Sequence, residues 1–216
     1  MCDGAIGREA HTGLHISARS LGKRLMDIGV TLALLVATAP ILAVAAVAIA
    51  ASSGMPIIHR RRVVGLRGRL FDAFKLRTMV RDADAELQRS PALRAAFERN
   101  YKLHRDPRVT PIGAVLRRWS LDELPQLVNV LRGQMSLVGP RMVSPDELSK
   151  YGSRAEELVR ARPGLSGLWQ VSGRQALDYQ RRVALDMDYL RNWSLWRDVK
   201  IALLTPWAVV TRQGAL

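Results

Sequence analysis

The feature that most constrains the fold is a run of 24 residues without a charged side chain, from Ile28 to Ala51. About 20 apolar residues in a helix reach across the hydrocarbon core of a bilayer, so this run is long enough to enter a membrane. Lys23 and Arg24 precede the run, and a basic stretch from His59 to Arg62 follows it. Pro40 lies near the middle, where proline removes one helix hydrogen bond and kinks the axis. The chain therefore has an apolar segment that is able to enter a membrane and that carries a helix-breaking proline near its centre.

Three interpretations of this segment compete. A cleavable signal peptide would explain Ala48-Ile-Ala50 at its end, but the apolar run is longer than the core of a typical signal. A spanning helix would place the two flanks on opposite sides, and here both flanks are basic, whereas basic flanks favour the cytoplasmic side. We therefore predict a re-entrant helical hairpin over residues 21–55 that breaks at Pro40, with a Pro-kinked spanning helix as the alternative. A flexible tail (1–20) precedes it, and a cytoplasmic catalytic domain (56–216) follows.

The charge balance points to an anionic partner. Lysine and arginine outnumber the acids 33 to 19, which gives a formal net charge of +14. Such a surplus fits nucleic acid, an acidic membrane surface or phosphorylated small molecules. No helix-turn-helix, zinc-finger or RNA-binding motif is present, so we expect no nucleic-acid partner. The single cysteine, Cys2, excludes a disulfide framework.

The remaining patterns predict a mainly α protein with one small β-hairpin. Apolar runs on both sides of Gly65 and Gly68 predict the hairpin between Pro56 and Met79. Amphipathic helical patterns cover Arg81 to Lys102, with a break at Pro91, and Tyr179 to Val210, with a limit at Pro206. The tryptophans and basic residues of this last segment are typical of an interfacial helix. A terminal helix packed in the core is the equal alternative.

The strongest candidate for chemistry is the adjacent carboxylate pair Asp122 and Glu123. Apolar residues at Leu124, Leu127, Val128 and Leu131 follow at helical spacing, and Gly133 ends the pattern. The pair would then lie at a helix N-terminus, where the helix dipole keeps a carboxylate ionised and fit to act as a nucleophile or metal ligand. A capping box, with Ser120 as the cap and Glu123 at the third helical position, explains the same residues without chemistry.

Basic residues occur in turns and loops before and after this pair. Lys75 and Arg77 are two apart, so on a strand they face the same side and are placed to hold phosphate together. Arg117 lies just upstream of the pair, and Arg141 ends the rigid turn that begins at Val138. A glycine-punctuated loop over 162–174 carries Gln170 and Arg174. Two Asp-x-Asp pairs, at 82/84 and 186/188, diverge on a helix and are not predicted to bind metal.

Several motifs in fixed order resemble one known family. These are Lys23-Arg-Leu-Met-Asp27, the apolar hairpin with Pro40, Lys75-Leu-Arg-Thr-Met79, Ser120-Leu-Asp-Glu-Leu-Pro-Gln126, Met135-Ser-Leu-Val-Gly-Pro-Arg141, and Arg162-Pro-Gly-Leu-Ser-Gly167 with Gln170 and Gly173-Arg174. Together they resemble the small monotopic polyprenyl-phosphate phosphoglycosyl transferases, the bacterial sugar transferases that initiate capsule, exopolysaccharide and glycan assembly. The resemblance covers nearly the whole chain except its tail.

The resemblance implies a two-step reaction at the cytoplasmic face of the bacterial inner membrane. Asp122 would attack the β-phosphorus of a UDP-sugar, release UMP and hold the phosphosugar until polyprenyl phosphate takes it. Glu123, with Asp122, would hold Mg²⁺. The phosphate-binding positions would be Lys75, Arg77, Arg117, Arg141, Gln170 and Arg174. Anionic lipids are expected partners, and whether the protein forms a homodimer is left open. The alternative to an enzyme is a basic, membrane-anchored binding or scaffold protein without catalytic activity.

The chain departs from the family pattern at three positions. Leucine at position 76 replaces the usual phenylalanine, Met142 replaces a proline, and Val63 stands where an arginine is usual. The acid pair and the later loops are intact, so we expect activity.

Overall fold

The computed structural model describes residues 21–100, 103, 106–173 and 177–211. The predicted tail and Arg174 lie outside these residues. The helices are α1 (Leu21–Ser53), α2 (Ala83–Arg89), α3 (Pro91–Asn100), α4 (Pro111–Arg118), α5 (Gln126–Leu131), α6 (Pro145–Leu148), α7 (Ala155–Leu158), α8 (Leu168–Val171), α9 (Tyr179–Arg191) and α10 (Leu195–Val210). The strands are β1 (Ile58–Val64), β2 (Leu70–Leu76), β3 (Ser136–Val138) and β4 (Gly164–Ser166), and 3₁₀ turns cover Leu66–Gly68, Leu121–Glu123 and Ser149–Arg154. The predicted mainly α class with a small hairpin is confirmed.

The predicted β-hairpin is formed by β1 and β2, which pair antiparallel from Ile58 opposite Leu76 to Val64 opposite Leu70. Its turn carries Gly68 at a φ of 74°, a conformation that glycine adopts without strain. Val63 is fully buried in the main core. The valine at this position therefore packs inside the domain.

A second, unpredicted pair of strands lies under the loops that carry Arg141 and Gln170. Strands β3 and β4 are parallel and bring Gly139 beside Gly164. A Cβ atom added at Gly164 would lie 2.2 Å from the backbone nitrogen of Gly139, closer than any side chain permits. The glycines at 139 and 164 thus let two backbones pack closely against each other.

Helix α1 is tied to the rest of the protein at both ends. Near its start, Arg24 donates to the carbonyl oxygens of Val130 and Leu131 at 2.7 Å each, which satisfies the C-terminal carbonyls of α5. At its end, Arg77 donates to the carbonyl oxygens of Ser53 (2.6 Å) and Gly54. Both ends of the apolar helix therefore contact the same domain.

Two buried carboxylates reinforce the start of α1. Asp27 accepts hydrogen bonds from the Ser136 hydroxyl and the Leu137 backbone, at 2.8 and 3.1 Å. Lys23 forms a buried ion pair with Asp198 of α10, with 2.6 Å between Nζ and Oδ2. The Lys23–Asp27 motif is thus a structural anchor that joins α1 to β3 and to the last helix.

The outer face of α1 is apolar and exposed. It carries Leu32, Val36, Val44 and Val47, and no charged residue lies between Ile28 and Ala51. Among the described helices, α1 alone is long and apolar enough to cross a membrane. Pro40 lies inside α1 and does not end it. The re-entrant path through the membrane stays a prediction.

The last two helices pack on the core with one face each. Helix α9 is continuous from Tyr179 to Arg191, and α10 contains Pro206 without ending there. Asp198, Ile201 and Ala208 of α10 are buried, whereas Trp196, Leu203, Leu204, Trp207 and Val210 are exposed. The helix thus has one core-packed face, as one alternative predicted, and one exposed apolar face; its place at a membrane interface stays a prediction.

Candidate active site

The carboxylate pair lies in the 3₁₀ turn between α4 and α5. Ser120 adopts a left-handed conformation with a φ of 55°, and its side chain caps no backbone N–H of the helix. The capping-box alternative is therefore wrong, because a capping serine has an extended backbone and accepts a bond from the turn. The α-helix begins at Gln126, and Gly133 ends it at a φ of 74° as predicted.

The pair faces a cleft with a volume of about 690 Å³. Asp122 is 6% exposed and Glu123 is half-buried. Every predicted site residue within the described part of the chain lines this cleft, namely Lys75, Arg77, Arg117, Asp122, Glu123, Arg141 and Gln170. The fold thus brings together side chains that lie up to 95 positions apart in the sequence, counted from Lys75 to Gln170.

Two basic residues face the carboxylate pair. Lys75 forms an ion pair with Glu123, with 2.6 Å between Nζ and Oε1. Arg117 donates from Nε to the Thr78 hydroxyl at 2.8 Å, which fixes its guanidinium at the cleft wall. This part of the cleft therefore sets two acids beside two fixed cations, a composition suited to a phosphate-bearing ligand.

Burial raises the pKa of Asp122 above its usual range; Lys75 and Arg117 oppose the rise, and Glu123 adds to it. We expected the helix N-terminus to keep this carboxylate ionised by itself. The structure corrects that expectation, because desolvation outweighs the helix dipole at a buried position. The neighbouring cations are what favour the charged form that a nucleophile needs.

Arg141 is held by a group that we name the Glu147 cluster, which consists of Glu147, Arg61, Arg141 and Tyr179. Glu147 is fully buried, and its carboxylate contacts Arg141 Nε at 3.2 Å, Arg61 Nη2 at 3.3 Å and the Tyr179 hydroxyl at 3.3 Å. The Arg141 guanidinium also lies over the Trp169 ring, 4.9 Å from its centroid. One buried carboxylate thus positions two arginines at the cleft wall.

A second buried acid, Asp186, supports the same arginine from behind. It accepts the backbone N–H of Arg141 at 3.0 Å and the Tyr151 hydroxyl at 2.8 Å. Burial is the main cause that raises the pKa of Asp186 to about 7. Asp188, two residues later, is instead half-buried and bonded to Arg197 at 2.5 Å. The prediction that this Asp-x-Asp pair diverges is confirmed.

Glu147, Arg61 and Asp186 are site residues that the sequence reasoning missed. Asp186 did carry a signal, because it falls on the apolar stripe of α9 with Val183 and Leu190, where a carboxylate must be buried. Glu147 follows a serine cap by three residues and resembles an ordinary helix-start acid. Arg61 belongs to a basic run and had no distinguishing pattern.

Three buried polar atoms of uncharged side chains on the cleft wall have no hydrogen-bond partner within the described structure. They are Gln126 Nε2, Trp169 Nε1 and Gln170 Oε1. Buried polar groups are normally paired, so unpaired atoms on a cavity wall indicate positions that a ligand completes. The cleft therefore offers two donors and one acceptor beside its charged groups.

Divalent-metal binding rests on the two adjacent carboxylates. Among the described residues no group of three or more His, Cys, Asp or Glu side chains is arranged to hold a metal. Mg²⁺ is compatible with this donor set, because it commonly takes one or two carboxylates and completes its shell with waters and substrate phosphates. Asp122 and Glu123 therefore fit Mg²⁺ in the presence of a phosphorylated ligand, and they do not form a self-sufficient protein cage.

Comparisons with known proteins extend the geometric findings. The family model described as "Bacterial sugar transferase" matches residues 18–212. The chain is 42% identical over 197 residues to an "Undecaprenyl-phosphate galactose phosphotransferase" of Salmonella typhimurium, across 89% of this chain and 41% of that protein. It is 43% identical over 199 residues to an "Exopolysaccharide production protein ExoY" of Sinorhizobium fredii, across 90% of this chain and 88% of that protein.

A third relative is the "UDP-glucose:undecaprenyl-phosphate glucose-1-phosphate transferase" of Caulobacter vibrioides, 41% identical over 210 residues, across 92% of this chain and 73% of that protein. The chain thus spans less than half the length of the Salmonella relative and most of the length of the other two. The similarity extends over both the apolar helix and the cleft.

Proposed function

The chain belongs to the bacterial sugar transferase family, and from that premise we propose that it transfers a phosphosugar from a UDP-sugar to a polyprenyl phosphate such as undecaprenyl phosphate. The product would be a polyprenyl-diphosphate sugar, the first intermediate of an exopolysaccharide, capsule or glycan. The observation that carries the proposal is the buried Asp122 in a cleft whose walls present Lys75, Arg117 and Arg141. A carboxylate among cations is suited to attack a phosphate that those cations bind.

In the first step a carboxylate oxygen of Asp122 forms a bond to the β-phosphorus of the donor. The bond from that phosphorus to the bridging oxygen breaks, and its electron pair leaves with UMP. Lys75 and Arg117 stabilise the negative charge that develops on the phosphate oxygens. The result is an acyl phosphate between the enzyme and the phosphosugar.

In the second step a phosphate oxygen of the lipid acceptor attacks the same phosphorus, and the Asp122 carboxylate leaves with the electron pair of its bond. Two transfers through one carboxylate allow a water-soluble donor and a membrane-bound acceptor to react in turn. Asp122 and Glu123 are the residues that would hold Mg²⁺, which when bound neutralises phosphate charge. Lys75 contacts Glu123 and would exchange this contact for donor phosphate.

We propose further that α1 enters the inner membrane from the cytoplasmic face and returns to it. Both ends of α1 are bonded to one charged domain, through Arg24 and Arg77. A spanning helix would separate its ends by the roughly 30 Å hydrocarbon core of the bilayer, and its far end would lose this contact. The exposed apolar face of α10 and the net charge of +14 favour an anionic lipid surface beside it.

Labelling of single cysteines tests this topology. Cysteines placed at Ser20 and Ser53, in a chain with Cys2 replaced by serine, should both resist a membrane-impermeant reagent added to intact cells. If either position reacts from outside, the re-entrant path is wrong.

Release of UMP by purified protein tests the reaction. Protein in detergent receives undecaprenyl phosphate, Mg²⁺ and one member of a panel of UDP-sugars, with Asp122→Asn in parallel. We expect UMP with at least one donor and none from the variant, and a radiolabelled phosphosugar should remain on the wild type when acceptor is omitted. Asp82→Asn, which removes an exposed carboxylate outside the cleft, is the matched control and should keep its activity.

The outcomes separate the proposal from its rival. UMP release that survives in Asp122→Asn would keep the transferase and overturn the nucleophile. Silence of the wild type across the panel would favour a membrane-anchored scaffold, because a scaffold has no use for either substrate. The identity of the productive donor would also name the sugar.

A further inference from the structure

Arg77 is a buried arginine that uses two of its five N–H donors. It is 7% exposed and follows β2 directly. Its Nη2 donates to the carbonyl oxygens of Ser53 and Gly54 at the end of α1. Its Nε and Nη1 are buried and have no partner within the described structure. Arg77 forms no ion pair with any carboxylate of that part of the chain.

The chemistry of the guanidinium makes this arrangement costly without a ligand. Arginine stays charged in proteins, and burial of a charge without a counter-ion or full hydrogen bonding is strongly unfavourable. Two carbonyl oxygens satisfy one nitrogen and leave the charge itself uncompensated. Arg77 also lines the cleft that holds Asp122. Nε and Nη1 are covered by neighbouring atoms, so an anion that enters from the cleft would contact them after a local shift and would provide two acceptor oxygens in the geometry that arginine favours.

The position of Arg77 identifies which phosphate this anion belongs to. Lys75 and Arg117 already face the carboxylate pair, where the donor diphosphate must lie for attack. Arg77 instead touches the residues at which the chain leaves the apolar helix α1. Pro56 and Ile58, exposed residues that follow this point, line the same cleft. This end of the cleft thus combines a buried cation with apolar surface next to the membrane.

We propose that Arg77 binds the terminal phosphate of the lipid acceptor, with Nε and Nη1, at the end of the cleft adjoining α1. The proposal rests on the transferase function and deepens it, because it gives donor and acceptor separate phosphate sites. The same side chain would join acceptor binding to the end of the membrane helix.

Steady-state kinetics of Arg77→Gln tests the assignment. In a two-step mechanism through a covalent intermediate, kcat/KM for each substrate reports its own half-reaction. Loss of a charge-assisted contact should lower kcat/KM for undecaprenyl phosphate roughly tenfold to a hundredfold. The kcat/KM for the UDP-sugar should stay within about threefold, and the UMP burst without acceptor should keep its amplitude.

Arg24→Gln is the matched control. Arg24 also donates to two backbone carbonyls between α1 and the domain, but it does not line the cleft. Its replacement should weaken the attachment of α1 to the domain without selectively lowering kcat/KM for the acceptor. An equal selective loss in Arg24→Gln would overturn the proposal, because helix docking would then explain the effect. The proposal would also be overturned if Arg77→Gln lowered kcat/KM for the donor as much as, or more than, kcat/KM for the acceptor.

Two further experiments test whether the phosphate that Arg77 binds belongs to the acceptor or to bulk lipid headgroups. Inorganic phosphate should inhibit the wild type competitively with the acceptor and should inhibit Arg77→Gln at least tenfold more weakly. The same acceptor penalty should appear in nanodiscs of neutral lipid and of anionic lipid. A penalty confined to anionic nanodiscs would mean that Arg77 binds bulk lipid headgroups, which would refute the acceptor site. A wild type that releases no UMP would refute the transferase itself, a result distinct from any of these.

Discussion

Replacement of Asp186 by asparagine should stabilise the protein at pH 8 and have much less effect at pH 5. Asp186 is fully buried, accepts the Arg141 backbone N–H and the Tyr151 hydroxyl, and has a pKa of about 7 against an ordinary value of 3.8. An aspartate whose pKa is higher in the folded chain contributes stability below pH 3.8 and loses it as the pH rises to about 7. Asparagine keeps the shape and an acceptor oxygen without the charge.

The size of the effect follows from the pKa values. At about 1.36 kcal/mol for each pKa unit, a rise from 3.8 to about 7 corresponds to about 4 kcal/mol over the whole range. Roughly 3 kcal/mol of this falls between pH 5 and pH 8. For a domain of this size, 1 kcal/mol moves Tm by about 2 to 4 °C. The Tm difference between Asp186→Asn and wild type should therefore grow by roughly 6 to 12 °C between the two pH values.

The assay is thermal unfolding in detergent at a fixed scan rate and at half-unit pH steps. The difference between variant and wild type is used, because other groups titrate equally in both. Asp188→Asn is the matched control, since this residue lies on the same helix but its side chain is 45% exposed to solvent. A Tm difference for Asp186→Asn that stays flat from pH 5 to 8 would refute the reasoning that burial raises this pKa. Transfer activity should change less than threefold, because asparagine still accepts the backbone N–H.

Three other changes test separate parts of the structure. Glu147→Gln removes the charge that positions both arginines of the Glu147 cluster. UMP release should therefore show a roughly tenfold lower kcat/KM for the donor, and thermal unfolding should show a lower Tm. Lys23→Met leaves the buried charge of Asp198 without its cation and should lower the free energy of unfolding by about 3 to 5 kcal/mol. Arg62→Met breaks an exposed ion pair and should lower it by less than about 1 kcal/mol in the same unfolding assay. Leu203→Glu, on the exposed face of α10, should lower retention in the membrane pellet with Tm unchanged within about 2 °C.

Local sequence patterns determined the secondary elements well. The apolar run from Ile28 to Ala51 lies in one long helix, and the two glycines at 65 and 68 mark the turn of a real hairpin. Pro91 separates two helices, and Gly133 ends the helix that follows the acid pair. These features depend on periodicity and on residues with special backbone preferences, both of which act over a few neighbouring positions.

Sequence motifs also identified seven of the residues on the cleft wall, but not what each one contacts. Lys75 and Arg77 were predicted to act together on phosphate. In the structure one contacts Glu123, and the other holds the end of the apolar helix. Ser120 matched a capping box and adopts a turn that excludes it.

Tertiary structure alone decided the electrostatics of the site. Glu147 looks like an ordinary helix acid in the sequence, and the apolar stripe around Asp186 indicates burial without naming its partners; both acids are completely buried beneath Arg141. The pKa of Asp122 is raised because the fold buries it, although a helix start favours the ionised form. The physical reason is that burial of a charge depends on partners far along the chain, and no local pattern records which distant side chains will exclude water from it.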